Sequence, residues 1–335
     1  MKPPLVLTQK QLITGLSLTL AALFLLSLFI GSNPIPLFQA ARDALLDTPS
    51  TIALILSEVR LPRALIAIVT GATLGLSGAA MQGLLRNPLA SPGLVGSASG
   101  AALGAICMLY FGLSSTLPIA LPLGGICGAL VATLLVYLLA GRDAGTLTLI
   151  LAGVAINAMA LALISLLLNL APSPYAVREI ALWMLGSIAN HSMDDFQIML
   201  PGILLGWFML IGTGRSLDAL TLGEETATTM GFSLPRLRWR IFIAIGLAVG
   251  SAIAITGSIG FVGLVVPHIL RPFVQHQPSR LLLASALGGA ILLLAADICV
   301  RLFPAGIDIK VGVLTSLVGA PFFLFLLRRR QGWMQ

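Results

Sequence analysis

Ten apolar runs dominate this chain and leave it one class of solvent. They fall at Leu12–Gly31, Ala64–Leu85, Pro92–Phe111, Leu117–Ala140 and Leu147–Leu170. They continue at Phe196–Thr213, Ile241–Gly260, Phe261–Val274, Leu281–Val300 and Val311–Leu327. A helix that crosses a bilayer needs about 20 mostly apolar residues. In lipid a helix satisfies every backbone group within its own segment, which an open strand cannot do. Charged residues make up 9% of the 335 and hydrophobic ones 58%. A soluble domain carries about 25% charged residues, so this chain has too few to cover a water-facing surface. The expected fold is an all-α polytopic membrane protein of about ten transmembrane helices, a single domain over residues 1–335. The run at Phe261–Val274 is short for a full crossing. It has to begin within Ile259–Gly260 or lie partly re-entrant against protein.

The first run follows Lys2 and Lys10 and has the outline of a signal peptide. It exceeds the usual apolar core of about 7–15 residues and has no A-x-A-like cleavage site, so a retained first span is expected. The net charge of +7 raises nucleic acid as a partner, but its distribution argues for membrane orientation instead. With the N-terminus inside and a crossing at every run, the cytoplasmic side holds Lys2, Lys10, Arg86, Arg142, Arg215, Arg236, Arg238, Arg240, Arg271, Arg280, Arg328, Arg329 and Arg330. The outer side holds Arg42, Arg60, Arg63, Arg178, Arg301 and Lys310. Thirteen against six is the asymmetry of a protein with both termini in the cytoplasm.

The runs are rich in Gly and Ala, as at Gly71, Gly75, Gly78, Gly246, Gly250, Gly288 and Gly289. Small residues let helix backbones approach where hydrophobicity no longer drives association. Cys107, Cys127 and Cys299 lie inside apolar runs without metal-ligand spacing, and read as packing residues. Three connections stand out. Ser32–Val59 holds a mixed segment able to form a short surface helix, Ala171–Asp195 carries Pro172 and Pro174, and Gly214–Arg240 is the one sizeable cytoplasmic loop.

Catalytic constellations are absent. No G-x-x-x-x-G-K-[ST], HExxH or GxSxG occurs, so the chain has no phosphate cradle for ATP. Acidic and histidine residues inside the runs reduce to Asp297 and His268, whereas ion-coupled carriers keep such groups along their ion path. Asp297 can pair with Arg301 at i,i+4; His268 is assigned a local hydrogen bond, and Gln82, Asn157 and Asn169 interhelical ones. The chain therefore needs an engine on its cytoplasmic side. Two short helices, Leu217–Met230 and Ser233 onward, are expected there, broken at Gly231. Leu220, Leu222, Ala227 and Met230 form an apolar stripe, and Glu224 and Glu225 are solvated. Arg60 and Arg63 share one face of a helix start, on the same side of the membrane as Arg301. They either snorkel to headgroups or form a basic socket for an acidic partner.

Several long motifs occur in order: RLPRALIAIVTGATLGLSGAAMQGLLRNPLASPGLVG from Arg60, LILAGVAINA from Leu149, LWMLGS from Leu182 and LDALTLGEETATTMGF from Leu217. GSIGFVGLVVPHILR from Gly257, LLLAADICVRL from Leu292 and VGVLTSLVGAPFFLFLLRRR from Val311 complete the set. With these the chain resembles, from about Leu12 to Arg330, the permease family of bacterial binding-protein-dependent ABC importers for iron–siderophore complexes, haem and cobalamin. The resemblance implies the type II ABC importer permease fold in the bacterial inner membrane. It implies a second permease subunit, identical or similar, two cytoplasmic ATPase subunits that hold ATP and Mg, and a periplasmic or lipid-anchored binding protein. No cofactor is implied for this chain. The implied docking residues are Arg60, Arg63 and Arg301. The coupling element maps onto Leu217–Leu237, with Leu217, Leu220, Gly223, Glu224, Glu225, Ala227 and Gly231. Thr146 and Leu147 correspond to the inner gate, and Asn157 and Thr315 to the pathway. One departure is Lys310, where the family usually has Pro. A gradient-driven secondary transporter and a membrane-embedded enzyme are the other classes. Ferric siderophore is the expected cargo, with haem and cobalamin as alternatives.

Overall fold

The computed structural model describes residues 8–31, 51–117, 119–141, 145–303 and 309–331, and among these every regular element is a helix. The longer ones are α1 (Gln9–Phe29), α2 (Leu61–Leu84), α3 (Ser97–Tyr110), α4 (Ala120–Ala140) and α5 (Thr146–Asn169). They are followed by α6 (Pro174–Met184), α7 (Met193–Leu210), α8 (Thr213–Leu220), α9 (Glu224–Thr229) and α10 (Leu234–Thr256). The last three are α11 (Val262–Leu270), α12 (Pro278–Arg301) and α13 (Val311–Gln331). Each of the ten apolar runs lies on one of these helices. By length and composition six of the helices can cross a membrane, and three further apolar helices are shorter.

Local sequence explains the boundaries. α1 opens on a capping box in which the Thr8 hydroxyl accepts from Gln11 N–H and the Gln11 amide oxygen accepts from Thr8 N–H. α7 begins with the same device, built from Ser192 and Asp195. Prolines sit where the helix needs no donor, at Pro62, Pro174 and Pro278 in the first turns of α2, α6 and α12.

α2 and α10 form the centre, with most of their residues buried. α12 runs antiparallel to α2 at very short range. A Cβ on Gly75 would stand 2.0 Å from the Ser285 carbonyl oxygen, and one on Gly71 2.3 Å from that of Gly289. Substitution by any other residue forces the backbones apart, which is the physical reason for glycine here. α1 lies on the outside, packed mainly on α12 and otherwise turned outward. Cys127 and Cys299 also face outward on their helices, so the expectation that they fill the interior does not hold for these two.

The short eighth run resolves into non-helical backbone followed by a half-length helix. Gly257–Phe261 passes beside α13, with the Phe261 ring against Gly319, and α11 then starts at Val262, later than the sequence suggested. Non-helical backbone at such a place has to be enclosed by protein. Ser187 N–H donates to Thr256 O at 2.7 Å, and Gly312 N–H to Gly186 O at 3.0 Å.

Candidate docking and coupling sites

Arg60, Arg63 and Arg301 do come together, at one end of the bundle. A short helix, Thr51–Ile55, and a π-helical turn, Leu56–Arg60, lead without a break into α2. Arg60 ends that turn and Arg63 lies in the first turn of α2. Part of the connection expected to carry a surface helix, residues 32–50, lies outside the described residues. Asp297, one turn before the end of α12, is 1% exposed at its side chain. Arg63 Nε donates to its Oδ1 at 2.9 Å and Arg63 Nη2 lies 2.8 Å from the same oxygen. Arg301 Nε donates to Oδ2 at 2.8 Å, and Arg301 Nη2 pairs with Oδ2 as well.

The expected Asp297–Arg301 pair is therefore present, but half of the site was not legible from that spacing. A buried carboxylate is retained when it is paired and hydrogen-bonded on both oxygens, and the second guanidinium comes from α2. Two cations on one anion leave one net positive charge between the three groups. Arg60 and Arg301 also close the end of α1. Arg60 Nη1 donates to Leu28 O at 2.8 Å, and Arg301 Nη1 to Ser27 O at 2.8 Å. These carbonyls belong to the last turn of a helix, where backbone acceptors lack partners and the dipole favours cations. Burial, and then the neighbouring charge of Arg301, lower the Arg60 guanidinium below its ordinary pKa. At its side chain Arg63 is 20% exposed and Arg301 6%. The cluster is thus a braced basic corner rather than an open socket.

The opposite end of α2 and α12 carries α8 and α9. The sequence predicted one helix over Leu217–Met230. The structure instead ends α8 at Leu220 and restarts at Glu224, because Gly223 adopts φ 116°. Only glycine takes that conformation readily. Gly231, at φ 88°, makes the expected second break. The expected apolar stripe divides. Leu220 and Ala227 are buried in the subunit, as is Leu217, whose methyl groups lie against Gly83 of α2. Leu222 and Met230 are exposed, by 65% and 56%. Short helices cannot hold their own fold, so part of the stripe is used to seat α8 on α2 and α9 on α8 and α10.

Two polar links missed from sequence fix this element. Glu224 is not simply solvated: both its oxygens accept from Arg238 Nη2, at 3.0 and 3.1 Å, at the start of α10. Asp218 on α8 accepts Ser279 N–H at 2.8 Å and Gln277 Nε2 at 3.0 Å. Only a fold that brings α8 to the first turn of α12 makes these pairs, so no spacing signals them. Glu225 is exposed.

The pathway residues are scattered along α5 and α13. Leu147 is 69% exposed, Asn157 is half-buried and the Thr146 side chain lies outside the described residues. Thr315 is turned into the subunit, 8% exposed, with its hydroxyl donating to Gly312 O at 3.0 Å. The exposed side of α13 is carried by Val313, Leu317 and Val318. Gln82 acts as interhelical glue, its Nε2 donating to Leu264 O at 3.2 Å while its Oε1 accepts from Arg271.

Residues 19–329 match the model of the FecCD transport family. The chain belongs to that family. It is 36% identical over 320 residues to the Fe(3+) dicitrate transport system permease protein FecD of Escherichia coli, covering 95% of this chain and 98% of that one. To the vitamin B12 import system permease protein BtuC of Vibrio cholerae it is also 36% identical over 320 residues, covering 95% and 93%. Among solved structures it is similar to a metal-chelate type ABC transporter in an inward-facing conformation, with a TM-score of 0.85 and 31% identity, covering 96% of this chain and 99% of that one. As a FecCD-family permease this chain is a multi-pass inner-membrane subunit of an ABC importer. It works with ATPase and substrate-binding partners, does no catalysis itself, and leaves ATP hydrolysis to a separate chain.

Proposed function

We propose that this chain is one of two permease subunits in an importer that carries an iron chelate of the ferric siderophore class. The observation that carries this reading is that α2 and α12 end in a basic corner on one side and in α8 and α9 on the other. In this reading the Arg63 end faces outward and both chain termini are cytoplasmic, in keeping with the excess of basic residues on that side. Arg63, the more exposed of the two Asp297 partners, meets an acidic side chain of the binding protein. Arg60 and Arg301 brace it and extend the positive field that orients the encounter. Below, Leu222 and Met230 seat α8 and α9 on the ATPase, with Glu224, Glu225 and the Gly223 and Gly231 turns shaping the contact.

A second permease, a copy of this chain or a similar one, packs along the exposed apolar sides of α5 and α13, and two ATPases sit beneath the pair. Leu147 and Thr146 stand at the inner gate and Asn157 on the pathway. Val313 and Leu317 take the lining position first expected of Thr315. ATP and Mg bind the ATPase partners. Equal identity to an iron dicitrate permease and to a vitamin B12 permease means that overall similarity does not choose the cargo. The metal-chelate type of the structural relative covers all three cargoes; ferric siderophore is the reading adopted, with haem and cobalamin as the alternatives.

The test is purification of the tagged chain from native membranes, reconstitution of whatever remains bound, and uptake assays with ferric siderophore, haem and cobalamin. ATP-dependent accumulation of the ferric siderophore alone is the expected result. Accumulation of haem or cobalamin instead overturns the cargo assignment. Uptake driven by an ion gradient with no ATPase bound overturns the importer reading.

A further inference from the structure

α12 joins the two functional ends more directly than any other described helix. It has 24 residues, a length of about 36 Å at 1.5 Å per residue. Its last turn carries Asp297 and Arg301. Its first turn is held by a residue from another helix. Gln277, at the N-cap, makes no side-chain capping bond of its own, which leaves the first N–H groups of α12 in need of an acceptor. Asp218 supplies it from α8, taking Ser279 N–H at 2.8 Å on Oδ1 and Gln277 Nε2 at 3.0 Å on Oδ2. The carboxylate also stands at the positive end of the α12 dipole. The backbones are correspondingly close: a Cβ on Gly214 of α8 would lie 2.8 Å from Ser279 Cβ.

The body of α12 is built to move as one piece. Its only proline is at the first position, whereas α7, α11 and α13 carry Pro201, Pro267 and Pro321 internally. Its midpoint glycines are clamped, Gly289 by α2 and Gly288 by Leu270 and Val266 of α11. α2 also spans both ends, but its contact with α8 is the apolar one between Gly83 and Leu217. Such a contact can slide, whereas the Asp218 joint is directional. Coupling between distant sites is carried by packed side chains, hydrogen-bond and salt-bridge networks and rigid secondary elements, and α12 with its Asp218 joint combines the last two.

We propose that α12 is the rod linking the binding-protein and ATPase ends of the permease, and that Asp218, capping its first turn from α8, is the positioning residue that joins it to the coupling helices. This rests on the importer reading above. A displacement of α8 by the ATPase then moves the Asp297–Arg301 turn, and with it the Arg63 guanidinium.

The experiment uses the full complex with its co-purified ATPase in nanodiscs. Cys107, Cys127 and Cys299 are replaced by serine, and an environment-sensitive fluorophore is placed on Leu302→Cys, at the exposed end of α12. The probe is Mg-ATP with vanadate, and the fluorescence change is divided by the amount of trapped nucleotide. With Asp218 intact a change is expected. Gln277→Ala, which removes one of the two bonds from the α12 side, should lower it about twofold with ATP hydrolysis retained. Asp218→Asn should lower it at least about fivefold, the lower end of ordinary coupling between sites. A change per trapped nucleotide that survives both substitutions overturns the proposal. So does a uniform loss of trapping and thermal stability with the normalised change intact, because a purely structural clamp behaves that way. If the unsubstituted complex traps no nucleotide, the importer reading fails and this inference falls with it.

Discussion

Arg63 and Asp297, 234 positions apart in the chain, meet at 2.9 Å and tie the start of α2 to the end of α12. The carboxylate is buried and also holds Arg301, so its removal strands two guanidiniums at once. Asp297→Ala is expected to cost about 3–5 kcal/mol of subunit stability, the usual penalty for leaving a buried charge without its partner. A fluorescence melt of the purified subunit checks this. A variant that melts with the wild type would show that the cluster is solvated and contributes little.

Arg63 is also the guanidinium best placed to reach a partner. Arg63→Gln should weaken association with the binding protein about tenfold at low salt and flatten its dependence on ionic strength. The measurement is a titration of nanodisc-embedded complex at two salt concentrations, with the melt as control. An unchanged affinity at low salt would remove Arg63 from the docking surface.

The Glu224–Arg238 bridge is exposed on its Glu224 side, at 40%, while the Arg238 side chain is 9% exposed. Arg238→Met keeps an apolar stem in the buried position and leaves the exposed carboxylate to water, so the melting temperature should stay nearly unchanged. It should nonetheless free α9 to reorient, and the yield of co-purified ATPase should fall severalfold. Restoration of the yield in the exchanged pair Glu224→Arg with Arg238→Glu would tie the effect to the bridge. A full yield in Arg238→Met alone would show that α9 needs no anchor.

Close approach of α2 and α12 gives a sharper contrast. Gly75→Val places side-chain atoms where the Ser285 carbonyl oxygen stands, and should cost at least about 3 kcal/mol. A Cβ on Gly15 of α1 meets nothing within 4 Å, so Gly15→Ala should be neutral or slightly stabilising. Gel filtration of the two variants in detergent should show loss of the monodisperse peak only for Gly75→Val. Equal behaviour would mean that α2 and α12 separate easily.

The helices were legible because nearly every apolar run is long enough to cross a bilayer, the eighth being the exception, and is bounded by turn residues. Long-range pairs were not. The i,i+4 spacing of Asp297 and Arg301 shows in one dimension, whereas Arg63 joins them only through the fold. The same holds for Asp218, whose partners lie at the first turn of α12. Leu220 and Ala227 looked like a docking stripe because periodicity reveals an apolar face without saying which body covers it. On helices this short the subunit itself claims part of that face. Thr315 was placed on the pathway by the family resemblance alone, and its hydroxyl bonds within its own helix turn.

The closure of α1 by Arg60 and Arg301 has a consequence for how the subunit is made. Translation delivers α1 to the membrane long before α12, on which it mainly packs. Arg301, which donates to the Ser27 carbonyl at the end of α1, emerges only after nearly all the other spans. α1 therefore waits for α12 with one flank uncovered. A ribosome that stalls before α12 leaves α1 held at its end by Arg60 alone, with the flank that α12 covers still bare.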